Sequence, residues 1–253
     1  MHLAPMKAKS ALLAANRQDV PAPPKTAKRR ATVRLPAAER RDLILKKAFE
    51  FFSEYGLTAQ TRGLADACGV SQRLLYSVFP SKSALINAVY DANIAGPFQA
   101  VWFVHLRDRS KPLAQRLREF YQEYYDTILT RNWLRLFLYA SLAEVEMAPT
   151  YIAAIIKTLL ETVVEEAVAD AGLPMPPDRA LIQELGWALH GNVSHLAIRR
   201  HIYHDRTSVA VERVIDIHIA AFLAGVKALL QPPGPAQPAT PRAKARPSSR
   251  SAR

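Results

Sequence analysis

Between residues 37 and 230, apolar side chains recur at steps of three and four, and no stretch alternates at a step of two for long enough to make a sheet. A chain patterned this way buries helix stripes against one another, so the expected fold class is all-α. Seven prolines (80, 97, 112, 149, 174, 176 and 177) stand between periodic segments, where a missing N–H does least harm. Four short helices are predicted first. Leu43, Ile44, Ala48, Phe51, Phe52 and Tyr55 form one stripe, closed by Gly56. Leu64, Ala65 and Cys68 form the next, closed by Gly69. Ser71 opens the third, with Leu74, Leu75, Val78 and Phe79, and Ser81 opens the fourth, with Leu85, Ile86, Val89 and Tyr90. Longer ones follow over Leu113–Ile128, Trp133–Val145 and Tyr151–Ala171. Asp178 caps another reaching about Tyr203, and Thr207 or Ser208 opens the last, which ends near Leu230.

Charge divides the chain differently. Its 253 residues hold 34 Lys and Arg against 22 Asp and Glu, a net +12. Residues 1–36 carry eight basic side chains and one acidic, residues 231–253 carry five and none, and the stretch between balances at 21 against 21. The tails are proline-rich and lack aromatic residues, so they are expected to be disordered basic arms. A polyanionic partner is the natural complement to that charge. Cys68, the single cysteine, makes no internal disulfide and no thiolate cluster. No apolar run approaches the ~18 residues of a membrane span, and Ala11–Ala15 is too short for a signal peptide. A cytoplasmic protein with no membrane partner is expected.

Residues 61–79 read TRGLADACGVSQRLLYSVF. Cys68-Gly69-Val70-Ser71 is a tight turn between two short helices: Gly69 supplies a left-handed residue, Val70 plugs the junction, and Ser71 starts the second helix. Such a helix-turn-helix presents its second helix to the roughly 12 Å major groove of B-DNA. Gln72 and Arg73 would face base edges, since Gln pairs with adenine and Arg with guanine in bidentate fashion. An ordinary αα-hairpin uses the same turn, so the turn alone leaves both readings open.

The wider pattern over residues 40–90 resembles the DNA-binding domain of the TetR family of bacterial transcriptional regulators. The matching residues are Ile44-Leu45, Ala48, Phe52, Gly56, Leu64-Ala65, Ala67, Gly69-Val70-Ser71, Leu75-Tyr76 and Phe79-Pro80-Ser81-Lys82 with Leu85. The resemblance implies a DNA-binding domain over 37–96 (helix-turn-helix 61–79) and an effector-binding and dimerisation domain over 97–230. It further implies a homodimeric repressor on a double-stranded DNA operator, released by a small ligand and working at the bacterial nucleoid; the few convergent charges among this chain's aromatic residues make a mainly apolar ligand the expectation. Carried onto this sequence, it makes Tyr76 and Lys82 phosphate-holding residues, with Arg62 a further phosphate contact and Ser71 and Leu74 part of the DNA-binding set. The chain departs from the family pattern in three places. The loop Gly56–Leu64 is a residue short, with Gln60 near a position often held by a phosphate-binding Thr. Arg73 and Leu74 replace smaller residues, and Val78 replaces a frequent Tyr or His.

In the rest of the chain Tyr124, Trp133, Phe137, Tyr151 and Trp187 are candidates to line an effector pocket, and core packing is the competing reading. Gly191, Ser194, Ala197, Ala220, Ala221, Ala224 and Gly225 are small residues at helical spacing that would let two copies approach closely, or that pack within one copy. His190, His195, His201 and His204 lack ligand spacing, so neither metal nor cofactor is expected. GxSxG, P-loop and GxGxxG patterns are absent, and no enzyme is expected. The alternatives are an activator or DNA-bound structural regulator without an inducer, and a helical-bundle enzyme or carrier that has lost DNA binding. The basic run Lys25–Arg30 precedes the first helix and either is placed to add non-specific phosphate contacts or is a plain solubilising linker. On the first reading, deleting residues 1–34 should flatten the dependence of DNA affinity on salt, and an unchanged slope in a titration series refutes this role.

Overall fold

Ile44, Ala48 and Phe52 stand four residues apart and are fully buried, which fixes the inward face of the first helix, α1 (Ala37–Tyr55). The computed structural model describes residues 36–143, 147–206 and 208–231, and these carry helices and no strand. Both predicted basic arms fall almost wholly outside the described residues, as do the predicted helix end Val145 and the predicted helix start Thr207. The described residues divide into two compact units, the boundary falling between Val89 and Tyr90.

The smaller unit contains α1, α2 (Thr61–Ala67), α3 (Gln72–Val78) and most of α4 (Lys82–Tyr90). Leu57, Leu64, Ala65, Cys68, Leu75, Phe79, Leu85 and Val89 complete its core. Leu43 and Tyr55, expected in the α1 stripe, are 36% and 49% exposed. Neighbouring helical residues point about 100° apart, and the strict four-residue row through Ile44 takes the core, leaving these two outside. Ser81 starts α4 as predicted, its Oγ accepting from the Ala84 N–H at 3.0 Å.

The larger unit begins with a π-helical turn, Asp91–Ala95, and continues through α5 (Val101–Leu106), α6 (Leu113–Thr127) and α7 (Arg131–Leu142). Then come α8 (Met147–Tyr151), a second π turn (Ile152–Ile156), α9 (Lys157–Asp170), α10 (Arg179–His201) and α11 (Val211–Leu230). The short α5 has no counterpart among the predicted segments; Trp102 and Leu106, four apart and 1% exposed, pin it to the core. Pro149 lies inside α8 instead of between helices. It sits in the first turn, where an N–H has no intrahelical acceptor. Asp178 caps α10 as expected, Oδ1 accepting from Ala180 at 2.8 Å. Ser208 does not open the last helix, which starts at Val211 behind the extended residue Ala210. Arg200 accounts for the delay, since it donates to the carbonyls of Asp205 (3.3 Å) and Val209 (2.6 Å) and holds the connection as a loop.

Two contacts hold the larger unit together most visibly. Gly186 of α10 lies so close to α9 that a Cβ would stand 2.6 Å from Leu160 Cβ. Arg116 and Glu166, each 5% exposed, pair across the fold at 2.7 Å. Arg109 adds two bonds to the same carboxylate, at 3.1 and 3.0 Å. Arg116 also donates to the Lys111 carbonyl at 3.1 Å and to that of Leu106, which ties the α5–α6 connection to α9. Burial alone would raise the Glu166 pKa, but the hydrogen bonds and charges of Arg109 and Arg116 outweigh it and hold the carboxyl below its usual value.

Glu166→Ala leaves the Arg116 guanidinium buried and unpaired and should cost about 3–5 kcal/mol in urea unfolding. Gly186→Ala forces α9 and α10 apart and should cost about 1–3 kcal/mol. Acid should act earlier than on a typical helical protein. Burial pushes the His190 imidazole down to about 4, so the unfolded chain takes up this proton first and stability falls as pH drops from about 6.5. The Glu166 contribution, complete above the ordinary carboxylate pKa, is lost below it. His190→Leu should make the fall between pH 6.5 and 4 shallower in chemical denaturation, and an unchanged profile contradicts the assignment.

Candidate nucleic-acid interface

The junction of α2 and α3 is built by backbone chemistry. Cys68 ends α2, Gly69 takes φ 66°, and two carbonyls of the last turn are closed from beyond it. Gly69 N–H donates to Asp66 O at 3.0 Å and Val70 N–H to Ala65 O at 3.0 Å, the paired bonds of a Schellman ending. A side chain at position 69 would have to adopt a backbone geometry that L-residues disfavour. Ser71 then caps α3, its Oγ accepting from Leu74 N–H at 3.1 Å. Cys68 is buried, and desolvation raises its thiol pKa to about 11, leaving it protonated and unreactive at neutral pH.

Leu75 and Phe79 anchor α3 in the core, and the Arg41 guanidinium lies 4.6 Å from the Phe79 ring centroid. The opposite side of α3 is open. Gln72, Arg73, Tyr76 and Ser77 are exposed along it, with Ser71 at its head, while Leu74 is half-buried. Gln72 and Arg73 occupy the first two helical positions, so they lead whatever this helix enters.

Two long-range bonds join α3 and α4 to the start of α2. Tyr76 OH donates to Thr61 Oγ1 at 3.1 Å, and Lys82 Nζ donates to the Ala59 carbonyl at 2.8 Å. Tyr76, Lys82 and the first residues of α2 therefore form one cluster, with exposed Arg62 next to Thr61. Thr61 is not among the residues expected from the sequence, where the length of the loop puts Gln60 at the position of a phosphate-binding Thr. Gln60 is in fact the residue before α2, and Thr61 is its first helical position. A hydroxyl next to Arg62 at the mouth of a short helix was the available signal.

The other predicted residues lie in the larger unit. Tyr124 and Tyr151 are buried with their hydroxyls 3.3 Å apart. Trp133 is buried, stacks on half-buried Phe137 at 4.7 Å and meets Tyr151 edge-on at 5.4 Å. Trp187 is half-buried and reaches the group through His190, at 5.6 Å. Of the small residues on α10 and α11, Ala220, Ala221 and Ala224 are exposed or half-buried, and Gly191, Ser194 and Gly225 lie at or near the surface. Ala197 is fully buried and packs within its own unit, so it has no surface to offer a second copy. The histidines keep separate company: His190 lies against Tyr124, His201 against Tyr125 and His195 against Tyr203.

Residues 44–89 match the family model described as bacterial regulatory proteins, tetR family. The whole fold is similar to solved structures of the same kind. A TetR-like transcriptional regulator from Rhodococcus sp. RHA1 is 18% identical, with 76% of this chain and 98% of that chain covered and a TM-score of 0.59. A TetR-family transcriptional regulator from Streptomyces coelicolor is 18% identical over 78% and 85% of the two chains, with a TM-score of 0.53. The TetR family transcriptional regulator PfmR from Thermus thermophilus is 21% identical over 72% and 97%, with a TM-score of 0.53. No curated protein matches the sequence. Among the described residues no helix is long and apolar enough to cross a membrane. Residues 44–89, which span the helix-turn-helix, thus match the TetR-family model, and the all-α fold is similar to that of solved TetR-family regulators.

Proposed function

We propose that this regulator is a homodimeric repressor that acts on nucleoid DNA in the cytoplasm. A small, mainly apolar ligand entering the larger unit releases it from a double-stranded operator. Residues 37–96 serve as the DNA-binding domain and 97–230 as the effector and dimerisation domain. The observation that carries the reading is the tie between Tyr76 and Thr61, supported by that between Lys82 and Ala59. These bonds make the phosphate-facing cluster and the exposed face of α3 one rigid piece, and a groove-reading helix needs its register fixed in this way.

Each residue then has a role. Tyr76, Lys82, Thr61 and Arg62 hold phosphates, and Gln72 and Arg73 read base edges at the leading end of α3. Ser71 and Leu74 support them, the first as cap and the second as a half-buried prop. Arg73 is the single cation on the exposed face of α3, which favours guanine in each half-site. The alanines of α11, with Ile217 49% exposed beside them, make an apolar strip of small residues suited to close helix pairing with a second copy.

Selection of bound sequences from a random DNA library by the full chain should return an inverted repeat. On that operator Arg73→Ala should cost about 1–3 kcal/mol and relax one base position per half-site. Lys82→Ala should weaken all sequences alike and lower the salt slope by about 1. Equal loss of selectivity in both variants contradicts the division of roles. Light scattering at micromolar concentration should give a dimer that Ala221→Glu dissociates, and a wild-type monomer refutes the dimer.

A further inference from the structure

The chain has three tryptophans, and all three belong to one aromatic cluster in the larger unit. Tyr124 is its centre: its ring centroid lies 6.0 Å from that of Trp102 and 5.3 Å from that of His190. His190 in turn stands 6.1 Å from Tyr121 and 5.6 Å from Trp187. Tyr124 and Tyr151 face each other through their hydroxyls.

Within this cluster three polar atoms are buried without a hydrogen-bond partner: Tyr121 OH, His190 Nδ1 and Trp102 Nε1. Their residues are 0%, 3% and 1% exposed. Orphaned polar groups are costly, and folded proteins rarely keep several together unless something meets them. The hydroxyl pair of Tyr124 and Tyr151, at 3.3 Å, is also longer than the roughly 2.7–2.8 Å of a good O–H···O bond, so it gives way readily to a better partner. Charge is the missing element. The buried charged side chains among the described residues are Arg116 and Glu166, and they neutralise each other. His190 stays neutral at physiological pH because burial disfavours its charged form. A carboxylate or an ammonium entering the cluster would find no counter-charge.

We infer that the effector is an uncharged aromatic molecule with at least two hydrogen-bonding groups, one of them an acceptor, as in a polyphenol or a hydroxylated aromatic ketone. Its rings replace contacts among the aromatic side chains, Trp102 Nε1 donates to its acceptor, and Tyr121 OH and His190 Nδ1 orient it. The inference rests on the reading that the larger unit binds an effector, and it assigns that site its chemistry and three residues beyond those that the sequence suggested.

The test uses the intact protein and three two-ring probes: 2,7-dihydroxynaphthalene, naphthalene and 2-naphthoate. Binding is read by tryptophan fluorescence, since every tryptophan borders the site, and by calorimetry. The diol should bind at least about tenfold more tightly than either other probe. Tyr121→Phe and His190→Leu should each weaken the diol about 5–30-fold and leave naphthalene unchanged, with thermal melting confirming that each variant is folded. Tyr121→Phe keeps the ring and removes only an orphaned oxygen, so it retains the fold. Tighter binding of naphthoate, equal binding of diol and naphthalene, an unaffected Tyr121→Phe variant, or no binding by any probe overturns the inference. Salt-dependent DNA binding measured on the same preparation separates the two readings. DNA binding without diol binding overturns the ligand class alone, whereas loss of DNA binding strikes the regulator itself.

Discussion

Gly69 sets the angle between α2 and α3, and the geometry of the nucleic-acid face depends on that angle. With φ at 66° it lets Val70 and Gly69 close the carbonyls of Ala65 and Asp66 while the chain reverses within a few residues. Ser71 then starts α3 immediately, and Leu75 and Phe79 lock that helix into the core. The exposed side left to α3 is the one that carries Gln72, Arg73 and Tyr76. A different residue at position 69 would re-aim all three together, because α3 has only seven residues and no independent stability.

The larger unit shows the same economy in its buried polar groups. Arg116 and Glu166 are the buried charged side chains among its described residues, and both serve to hold the α5–α6 connection against α9. The aromatic interior around Tyr124 is consequently neutral, with hydrogen-bonding capacity but no fixed charge. On the proposed reading, a ligand of this unit is selected by ring shape and hydrogen-bond pattern. On that reading anions and cations are refused, because their desolvation would go uncompensated.

Local signals were legible in the sequence, and long-range ones were not. The stripe of Ile44, Ala48 and Phe52 and the caps Ser71, Ser81 and Asp178 depend on residues within a turn of one another, so spacing reveals them. The turn at Gly69 belongs to the same class. By contrast, the start of α11 is set by Arg200 reaching across to the Val209 carbonyl, and α5 exists because Trp102 is buried by distant helices. Leu43 and Tyr55 look like core residues until tertiary packing chooses between adjacent rows. At the site, the types of Tyr76 and Lys82 were readable, but their partners Thr61 and Ala59 lie 15 and 23 residues away in sequence. Ala197 and the exposed alanines of α11 have the same small side chains, and burial alone separates them.

A hydroxyl-radical footprint of the full-length protein on DNA containing its selected sequence tests the central claim most directly, because it reports where the protein touches the backbone. Two protected patches related by two-fold symmetry, with centres a whole number of helical turns (about 10 base pairs each) apart, are the predicted result. Protection without a preferred position, or none at low salt, would contradict a dimer that sets one α3 in each of two major grooves.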